Sequence, residues 1–330
     1  MNDSLRTHGI ETLADRPSLV PRRLVATGRA LGILGGALVG AGLAGLAWGS
    51  IERRMPVLRR HEVTLPGHEG AHPLNILHIS DLHLYPGQEF IIDFLHRLAA
   101  EEHIDLVVST GDNFGLSEGL ELVERAYEPF LPLPGVFVLG SNDYYSARRK
   151  SWGRYLLGAS KPPQRTVPDL PWTQMVRDFR DAGWLDLSNR SAHLDITTSG
   201  GEVRRVAFLG TDDAHIQRDR ITEPVSQWGE ASVLRIGVTH APYRRVLDAL
   251  TNADADLIFA GHTHGGQIGL PGFGAIITNS DLNRRYAKGL HPWATRRGRA
   301  LLNVSAGLGT SPYAPIRIAT RPEATLLTVR

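Results

Sequence analysis

The sequence predicts an α/β domain, and two observations lead to this prediction. From residue 74 onward, short apolar runs typical of buried strands alternate with amphipathic stretches at helical spacing. Several of the apolar runs end directly in polar motifs, as at Asp81 and Asp112. Because ligands bind at the carboxyl ends of strands in such sheets, we expect the functional site at that edge.

The individual elements follow from their periodicity. Largely buried strands are predicted at residues 74–80, 104–110, 136–139, 233–239 and 257–260. Helices are predicted at residues 90–101, 123–131, 175–182 and 244–250. Further strand-like runs near residues 204–209, 300–305 and 324–329 indicate a second sheet packed on the first.

Composition narrows the class of protein. A chain of 330 residues with 42% hydrophobic residues can bury one large catalytic domain and an appendage. It has no cysteine, which excludes disulfides, thiolate metal sites and cysteine nucleophiles. Residues 1–60 hold nine arginines and four acidic residues, which leaves 27 basic and 30 acidic residues in the remainder. The folded part is therefore nearly neutral, and we expect no nucleic-acid partner.

The amino-terminal region predicts a membrane anchor. Residues 30–48 form an uncharged run of 19 residues, about 28 Å long as a helix, which is close to the thickness of the hydrocarbon core. A buried core helix is the alternative, but the run has no polar face. We divide the chain into a basic tail (1–29), a transmembrane helix or signal anchor (30–50), a juxtamembrane linker (51–71) and a catalytic domain (72–330).

Arginines flank the apolar run on both sides, so the positive-inside rule does not decide its orientation. Arg22 and Arg23 before a weakly apolar stretch resemble a twin-arginine export signal. We therefore expect a single-pass protein of the cell membrane with an extracytoplasmic catalytic domain. A second basic stretch, residues 146–171, is interleaved with aromatic residues and prolines, and it fits a solvated loop, a lid, or a contact with anionic headgroups.

The polar motifs have the composition of a metal site. Asp81 and His83 are two residues apart, so in an extended segment both side chains leave on one face. Asp112 follows the next strand and can bridge two cations. His262 and His264 are again two apart after a strand, and His240 ends another one. Oxygen and imidazole donors without thiolate suit manganese, iron or zinc better than calcium.

With these motifs the chain resembles the calcineurin-like metallophosphoesterase superfamily, whose pattern is D-x-H, G-D, G-N-H-D/E, H and G-H-x-H. The resemblance covers about residues 72–330. It looks closest to the membrane-associated bacterial phosphodiesterase branch, because residues 261–268, 307–311, 315–317 and 321–323 are similar to that branch's carboxyl-terminal pattern. The resemblance implies a four-layer α/β/β/α sandwich with two divalent metal ions at the sheet edges.

The resemblance also implies a ligand set. The first metal would be held by Asp81, His83, Asp112 and His264. The second would be held by Asp112, His240, His262 and an amide from the segment that begins at Gly140. Asp112 is then the bridge.

One segment departs from the family pattern. The motif G-N-H-D is replaced by Gly140-Ser141-Asn142-Asp143, which puts serine at the ligand position and removes the histidine that protonates the leaving group. Either Asn142 supplies the ligand through a one-residue shift, or Ser141 or water takes its place. We favour Asn142, because an amide oxygen is a better ligand than a neutral hydroxyl group.

Four further polar residues lie in or beside the motifs or follow another strand-like run. Asp143 is either a proton donor with a raised pKa or, as we favour, the cap of the following turn. Asn113 fits a role in positioning the substrate or the ligands and a plain turn equally well. We expect Asp212 and Asp213 to be structural. The residues assigned to catalysis are Asp112, Asn142, Asp143 and His264.

These observations predict a membrane-anchored, dinuclear metal phosphoesterase in which a metal-bridging hydroxide attacks phosphorus. We expect a phosphodiester or pyrophosphate bond in a lipid-linked or envelope-derived substrate. The alternatives are a phosphomonoesterase and a non-catalytic metal-binding module with a degenerate segment at residues 140–143. The near-neutral domain argues against a nuclease.

Overall fold

The computed structural model describes residues 39–40, 42–149, 166–198, 200–230, 233–270 and 272–330. Leu46–Arg330 form one compact unit, separate from Met1–Gly45. The account below concerns the unit that begins at Leu46.

The first sheet has six strands in the order β1-β14-β2-β3-β4-β5. They are Val57–Val63 (β1), Leu74–Ile79 (β2), Leu106–Ser109 (β3), Gly135–Phe137 (β4), Leu185–Asp186 (β5) and Glu323–Val329 (β14). Strands β2 to β5 are parallel to one another, and β14 is antiparallel to β2. The carboxyl ends of β2, β3 and β4 therefore meet at one edge of the sheet.

The second sheet also has six strands, in the order β12-β13-β9-β8-β7-β6. They are Ser191–Thr197 (β6), Val203–Gly210 (β7), Leu234–Val238 (β8), Leu257–Ala260 (β9), Gly289–Ala294 (β12) and Arg299–Val304 (β13). The four central strands are parallel, and β6 and β12 are antiparallel edges. A short hairpin is formed by Gly269–Leu270 (β10) and Gly274–Ala275 (β11).

The α-helices lie where the periodicity predicts them, with shifted ends. They are Glu89–Glu101 (α1), Leu120–Tyr127 (α2), Trp172–Asp181 (α3) and Arg244–Asn252 (α4), and Ser141–Tyr144 form a single helical turn. Residues 42–52 are also helical.

Three apolar clusters separate the layers of the domain. One lies between helices α1 to α3 and the first sheet and includes Leu95 and Phe179. The second lies between the two sheets and is built largely of strand residues such as Val108 and Ile236. The third packs α4, through Leu247, against the second sheet. The described chain is thus an α/β fold with two mixed sheets stacked between helices.

Strand β14 was assigned to the second sheet from the sequence, and this assignment was wrong. Its residues are buried almost throughout, and it pairs with β1 on one side and β2 on the other, inside the first sheet. A continuous apolar run identifies a central strand but not its neighbours, because pairing is decided by contacts distant in sequence. Strand β1 lies within residues 51–71, which were expected to form a linker.

Two predictions fall largely on residues that the structure leaves undescribed. The predicted membrane span includes residues 30–38 and 41, and the basic loop includes residues 150–165. Within the described residues, no helix combines the length and the apolar character needed to cross a bilayer. The anchor therefore stays a prediction.

His78 of β2 is fully buried between the sheets, and this makes stability sensitive to acid. Burial lowers the pKa of His78 to about 4 from 6.5. Between these values the unfolded chain binds a proton that the folded chain does not, so the free energy of unfolding falls as pH decreases.

We expect the titration of His78 to lower the free energy of unfolding by about 2 kcal/mol between pH 7 and pH 5. Denaturant unfolding of the full chain in mild detergent, followed by tryptophan fluorescence at both pH values, measures the loss. The variant His78→Gln should lose less stability over the same interval. An equal loss in both proteins would show that His78 does not titrate on unfolding.

Candidate metal centre

The seven predicted ligands all lie at the carboxyl ends of strands. Asp81 and His83 follow β2, Asp112 follows β3 and Asn142 follows β4 in the first sheet. In the second sheet, the residues that follow strands are His240, after β8, and His262 and His264, after β9. Because the two sheets are stacked with these ends at the same edge, residues up to 183 positions apart in the chain, Asp81 and His264, come into contact.

Six of these residues form two groups, each with donor atoms within 4.8 Å of one another. The first group is Asp81, His83 and His264, in which the two histidine Nε2 atoms are 3.1 Å apart. Asp81 Oδ1 lies 3.7 Å from His264 Nε2 and 4.0 Å from His83 Nε2. This arrangement of one carboxylate and two imidazoles can hold a divalent cation.

The second group is Asp112, His240 and His262. Asp112 also reaches the first group, because its Oδ1 lies 3.5 Å from His240 Nε2 and its Oδ2 lies 3.5 Å from His83 Nε2. One carboxylate oxygen thus faces each group. This is the placement that a bridging ligand requires.

The hydrogen bonds of two histidines fix their tautomers. His240 Nδ1 lies 2.7 Å from the carbonyl oxygen of Thr110, and His262 Nε2 lies 2.9 Å from that of Asn279. A carbonyl accepts only, so each of these nitrogens carries the proton. His240 Nε2 and His262 Nδ1, 3.2 Å apart, then face each other with lone pairs. In the neutral rings, opposed lone pairs at this distance repel unless a proton or a metal ion lies between them, so the two nitrogens attract positive charge and the residues fit a metal.

The backbone is bent sharply at the site. Ten described non-glycine residues have a positive φ, and five of them are predicted ligands: Asp81, His83, Asp112, His262 and His264. Residues other than glycine rarely adopt a positive φ, and this backbone conformation persists only where the surrounding structure imposes it. The bend turns each side chain from the strand end toward the gap between the sheets.

Two glycines allow the ligands to approach one another. A Cβ atom on Gly140 would lie 2.3 Å from Asp112 Oδ1 and 2.7 Å from the His240 ring. A Cβ on Gly261 would lie 2.0 Å from Ser80 Oγ and 2.5 Å from Asp81 Oδ2. Any larger residue would therefore displace a ligand.

The charges in the site are strongly coupled. Burial would raise the pKa of Asp112, but His240 outweighs it and holds that pKa well below its usual range. Burial likewise opposes protonation of His240, and Asp112 raises the His240 pKa well above its ordinary value. Burial and the neighbouring imidazoles lower the pKa of His262 and His264. Protons and cations therefore compete for the same donors.

Asp143 is fully buried and fastens two strand ends together. Its Oδ2 accepts hydrogen bonds from the backbone of Gly140 and Asp112, and its Oδ1 accepts from the backbone and side chain of Asn113. Burial raises the pKa of Asp143 to about 7. With both oxygens accepting hydrogen bonds, Asp143 holds the segment that carries Asp112.

Asn113 belongs to the same hydrogen-bonded cluster. Its Oδ1 accepts from the Tyr127 hydroxyl at 2.8 Å, and Tyr127 is also paired with Ser109. The side chain is buried and supports the Asp112 segment from behind.

Asn142 lies directly on the central carboxylate. Its backbone N–H donates to Asp112 Oδ1 and its side-chain amide to Asp112 Oδ2, both at 2.7 Å. The nitrogen and oxygen of an amide are interchanged by a half-turn of the side chain. In this arrangement the amide donates to Asp112, so its oxygen would become a ligand only when the side chain turns and a cation replaces this hydrogen bond. Ser141 begins the helical turn and is buried.

A chain of buried polar residues behind Asp81 had not been recognised in the sequence. Ser80 Oγ donates to Asp81 Oδ2 at 2.5 Å, Thr110 Oγ1 donates to Ser80 at 2.6 Å, and His78 Nε2 lies 2.9 Å from Thr110. The Asn303 amide lies 2.7 Å from His78 Nδ1, and its Nδ2 has no hydrogen-bond partner among the described residues. Exchanging the two amide atoms of Asn303 gives that nitrogen an acceptor. Neutral His78 then donates toward Thr110, and every donor points toward Asp81.

Arg317 is a second buried residue that had no assigned role. One guanidinium nitrogen donates to the carbonyl oxygens of Ala306, Gly307 and Gly309, and burial lowers the pKa of Arg317 to about 10. A Cβ on Gly307 would lie 2.5 Å from Asp81 Cβ. Arg317 therefore fixes the loop that packs directly on Asp81.

A cavity of about 520 Å³ opens beside the second group. It is lined by Ala214, His215, Gln217, Asp219, Tyr243 and Arg245. The His215 ring centroid lies 4.6 Å from that of His262. His215 was not among the predicted site residues. The signal that could have identified it is the polar run 210–215, which follows β7 and so marks a further strand end at the same edge.

Asp212 and Asp213, which precede His215, take part in hydrogen bonds and an ion pair. Asp212 accepts from the Tyr144 hydroxyl at 3.0 Å and pairs with Arg218 at 2.8 Å. Asp213 accepts from the backbone of His215, and burial raises the pKa of Asp213 to about 7. Neither carboxylate lines the cavity, but Asp213 holds the backbone of His215, which does.

Comparison with known proteins finds similarity to phosphoesterases. The profile of the calcineurin-like phosphoesterase family matches residues 74–266. The uncharacterized metallophosphoesterase YkoQ of Bacillus subtilis is 27% identical over 257 residues, covering 76% of this chain and 82% of its own.

Two relatives with assigned activities align over a similar span. The UDP-2,3-diacylglucosamine pyrophosphatase LpxG of Chlamydia trachomatis is 27% identical over 291 residues, covering 78% of this chain and 83% of its own. The phosphodiesterase YaeI of Escherichia coli is 25% identical over 264 residues, with the same two coverages.

The close packing at Gly140 leads to a test of the site. We expect Gly140→Ala to weaken metal binding by about tenfold or more, because the added methyl group displaces Asp112 or His240. Metal content after dialysis and titration with manganese measure this effect. The matched control is Gly229→Ala, since no atom lies within 4 Å of a Cβ there. Equal manganese affinity in both variants would show that metal binding does not require the close approach of Gly140 to Asp112 and His240.

Proposed function

Because the chain belongs to the calcineurin-like phosphoesterase family and is a metal-dependent phosphoric ester hydrolase, we propose that it is a membrane-anchored enzyme with two divalent cations that cleaves a phosphodiester or pyrophosphate bond. One observation carries this proposal. The Asp112 carboxylate directs one oxygen toward each of two buried donor groups.

In this proposal the first cation is held by Asp81, His83, Asp112 and His264, and the second by Asp112, Asn142, His240 and His262. The donors are oxygen and imidazole nitrogen, which suits manganese, iron or zinc. When bound, such cations lower the pKa of water and stabilise negative charge on the phosphoryl oxygens.

The residues of the chain orient these components and control access. Five of the seven ligands are buried, whereas Asn142 and His264 are partly exposed. The phosphoryl group therefore approaches from the side of Asn142 and His264. The hydrogen bonds to His240 and His262 place the proton of each neutral ring on its outer nitrogen, so the inward-facing nitrogen is the one that can bind a cation.

The substrate class follows from two features. No histidine occurs in residues 140–145, where the family places its proton donor, so a leaving group that needs little protonation is favoured. A pyrophosphate bond has such a leaving group. The cavity beside His262 has room for a second group esterified to phosphorus, which favours a diester over a monoester.

The relatives support this choice, since one is named a pyrophosphatase of a diacylated sugar nucleotide and another a phosphodiesterase. With residues 30–50 as the anchor and the catalytic domain outside the cytoplasm, a lipid-linked or envelope-derived ester would be within reach of the site. We propose this substrate class for the chain.

The central carboxylate provides the direct test of activity. We expect the full chain in detergent, loaded with manganese, to hydrolyse an activated aryl phosphodiester faster than the corresponding monoester. Asp112→Ala should reduce this rate by about 10³-fold or more, because it removes the ligand shared by both cations. Asp93→Ala on the exposed face of α1 is the control and should keep full activity. A faster monoester reaction would instead support a phosphomonoesterase.

The identity of the amide ligand has its own test. We expect Asn142→Ala to lower affinity for the second cation by about 10- to 100-fold, whereas Ser141→Ala should keep two equivalents of manganese per chain. Metal content and the manganese dependence of turnover measure the difference. Loss of the second cation in Ser141→Ala, with Asn142→Ala unaffected, would assign the ligand to the serine.

A further inference from the structure

The end of the amino-terminal helix is fixed to the catalytic domain. The buried Glu52 carboxylate accepts hydrogen bonds from the backbone of Ala319 at 2.9 Å and Thr320 at 2.7 Å. The backbone of Arg317 donates to the carbonyl oxygen of Gly49 at 3.0 Å. These bonds fix residues 49–52 to the catalytic domain, so this end of the helix is not a free tether.

Large apolar side chains at this helix end are exposed. Trp48, Ile51 and Met55 are spaced three and four residues apart, and 53%, 54% and 38% of their surfaces are exposed. Gly49 and Glu52 in the same segment are buried, and Trp48 Nε1 donates a hydrogen bond to Glu52 Oε2 at 2.9 Å. Trp48 and Ile51 belong to the helix and Met55 follows its end, so three large apolar side chains are exposed within eight residues.

The β10–β11 hairpin extends the apolar surface. Ile268 bridges to Ile318, and the backbone of Gly269 donates to Ile318 at 2.8 Å. Residues 316–320 therefore have the helix end on one side and the hairpin on the other. The hairpin and the residue that follows it expose Leu270, Phe273 and Ile276 by 51%, 52% and 37%.

Cations accompany these apolar residues. The Arg284 guanidinium lies 3.7 Å from the centre of the Phe273 ring, and Arg285 follows it, exposed. Arg53 and Arg54 follow the helix, with both guanidinium groups 5.8 Å from the centre of the Phe90 ring. Apolar side chains flanked by arginine are complementary to lipid tails and anionic headgroups.

The same surface adjoins the metal centre. Gly266, two residues after His264, has a backbone that approaches Ala275 of the hairpin. Asn279, beyond the hairpin, contacts His262. A membrane in contact with the hairpin would thus lie beside the two histidines of one metal-binding motif.

We propose that the six exposed apolar residues at 48, 51, 55, 270, 273 and 276, together with the adjoining arginines, form a docking face for a bilayer that contains anionic lipids. The inference rests on the proposed function and extends it, since it names the surface from which the site takes its substrate. A bilayer is favoured over a protein partner because the chain continues from this face directly into the uncharged run 30–48.

The absence of cysteine allows the test to be made on the full chain. The variant Leu270→Cys, labelled with an environment-sensitive fluorophore, reports on the hairpin and leaves Phe273 and Arg284 intact. The control is Val203→Cys, because Val203 is 59% exposed at the start of β7, at the edge of the sheet opposite the metal centre. Both proteins are reconstituted into phosphatidylcholine vesicles with and without phosphatidylglycerol, each with a nitroxide-labelled lipid as quencher.

We expect the nitroxide lipid to quench the Leu270 label by about half in vesicles with phosphatidylglycerol and the Val203 label hardly at all. Arg284→Glu with Arg285→Glu should reduce the quenching to the level in phosphatidylcholine alone. Equal quenching at the two labels would overturn the proposal, and so would failure of the protein to float with the vesicles. A Leu270 label already shielded in detergent, increasingly so with protein concentration, would overturn it in favour of a second copy.

Turnover of a water-soluble aryl phosphodiester separates this inference from the proposed function. Unchanged turnover in Arg284→Glu/Arg285→Glu, together with lost quenching, supports a face used for docking alone. Normal turnover without quenching in the parent chain overturns the docking face and leaves the enzyme assignment intact. Quenching without any turnover would contradict the proposed enzymatic function but not the docking face.

Discussion

The position of the Asp112 carboxylate between two imidazole groups is the constraint on which the rest of the site depends. Its oxygens lie 3.5 Å from His83 Nε2 and 3.5 Å from His240 Nε2. His83 belongs to the first sheet and His240 to the second, so the distance is kept only if the sheets hold their carboxyl edges together. The apolar cluster between the sheets therefore has a functional consequence as well as a stabilising one.

This arrangement opposes stability in two ways. Two carboxylates and three imidazoles are buried close together beside the partly exposed His264, and five ligands adopt a backbone conformation that costs free energy. The surrounding hydrogen bonds offset part of this cost. Asp143 holds the Asp112 segment through backbone N–H groups, and the chain from His78 through Ser80 orients Asp81. Cations would compensate the remaining charge.

The same loops connect the metal centre to the outer surface of the domain. Arg317 packs on the loop behind Asp81, and its neighbours in residues 316–320 bind the helix end through Gly49 and Glu52. The hairpin follows His264 within the same stretch of chain. The orientation of the docking face and the geometry of the ligands are therefore fixed by one set of packed loops.

The sequence by itself determined the local features. Periodicity located helices α1 to α4 within a few residues, and apolar runs followed by Asp81, Asp112, His240 and His262 located the strand ends, because these signals depend on neighbours in the chain. Tertiary structure decided the rest. Strand β14 joined the first sheet, Ser80 and His78 became supports of Asp81, and His215 came to lie beside His262, because each depends on a partner distant in sequence. Such partners are selected by packing between layers, which leaves no periodic signal in the chain.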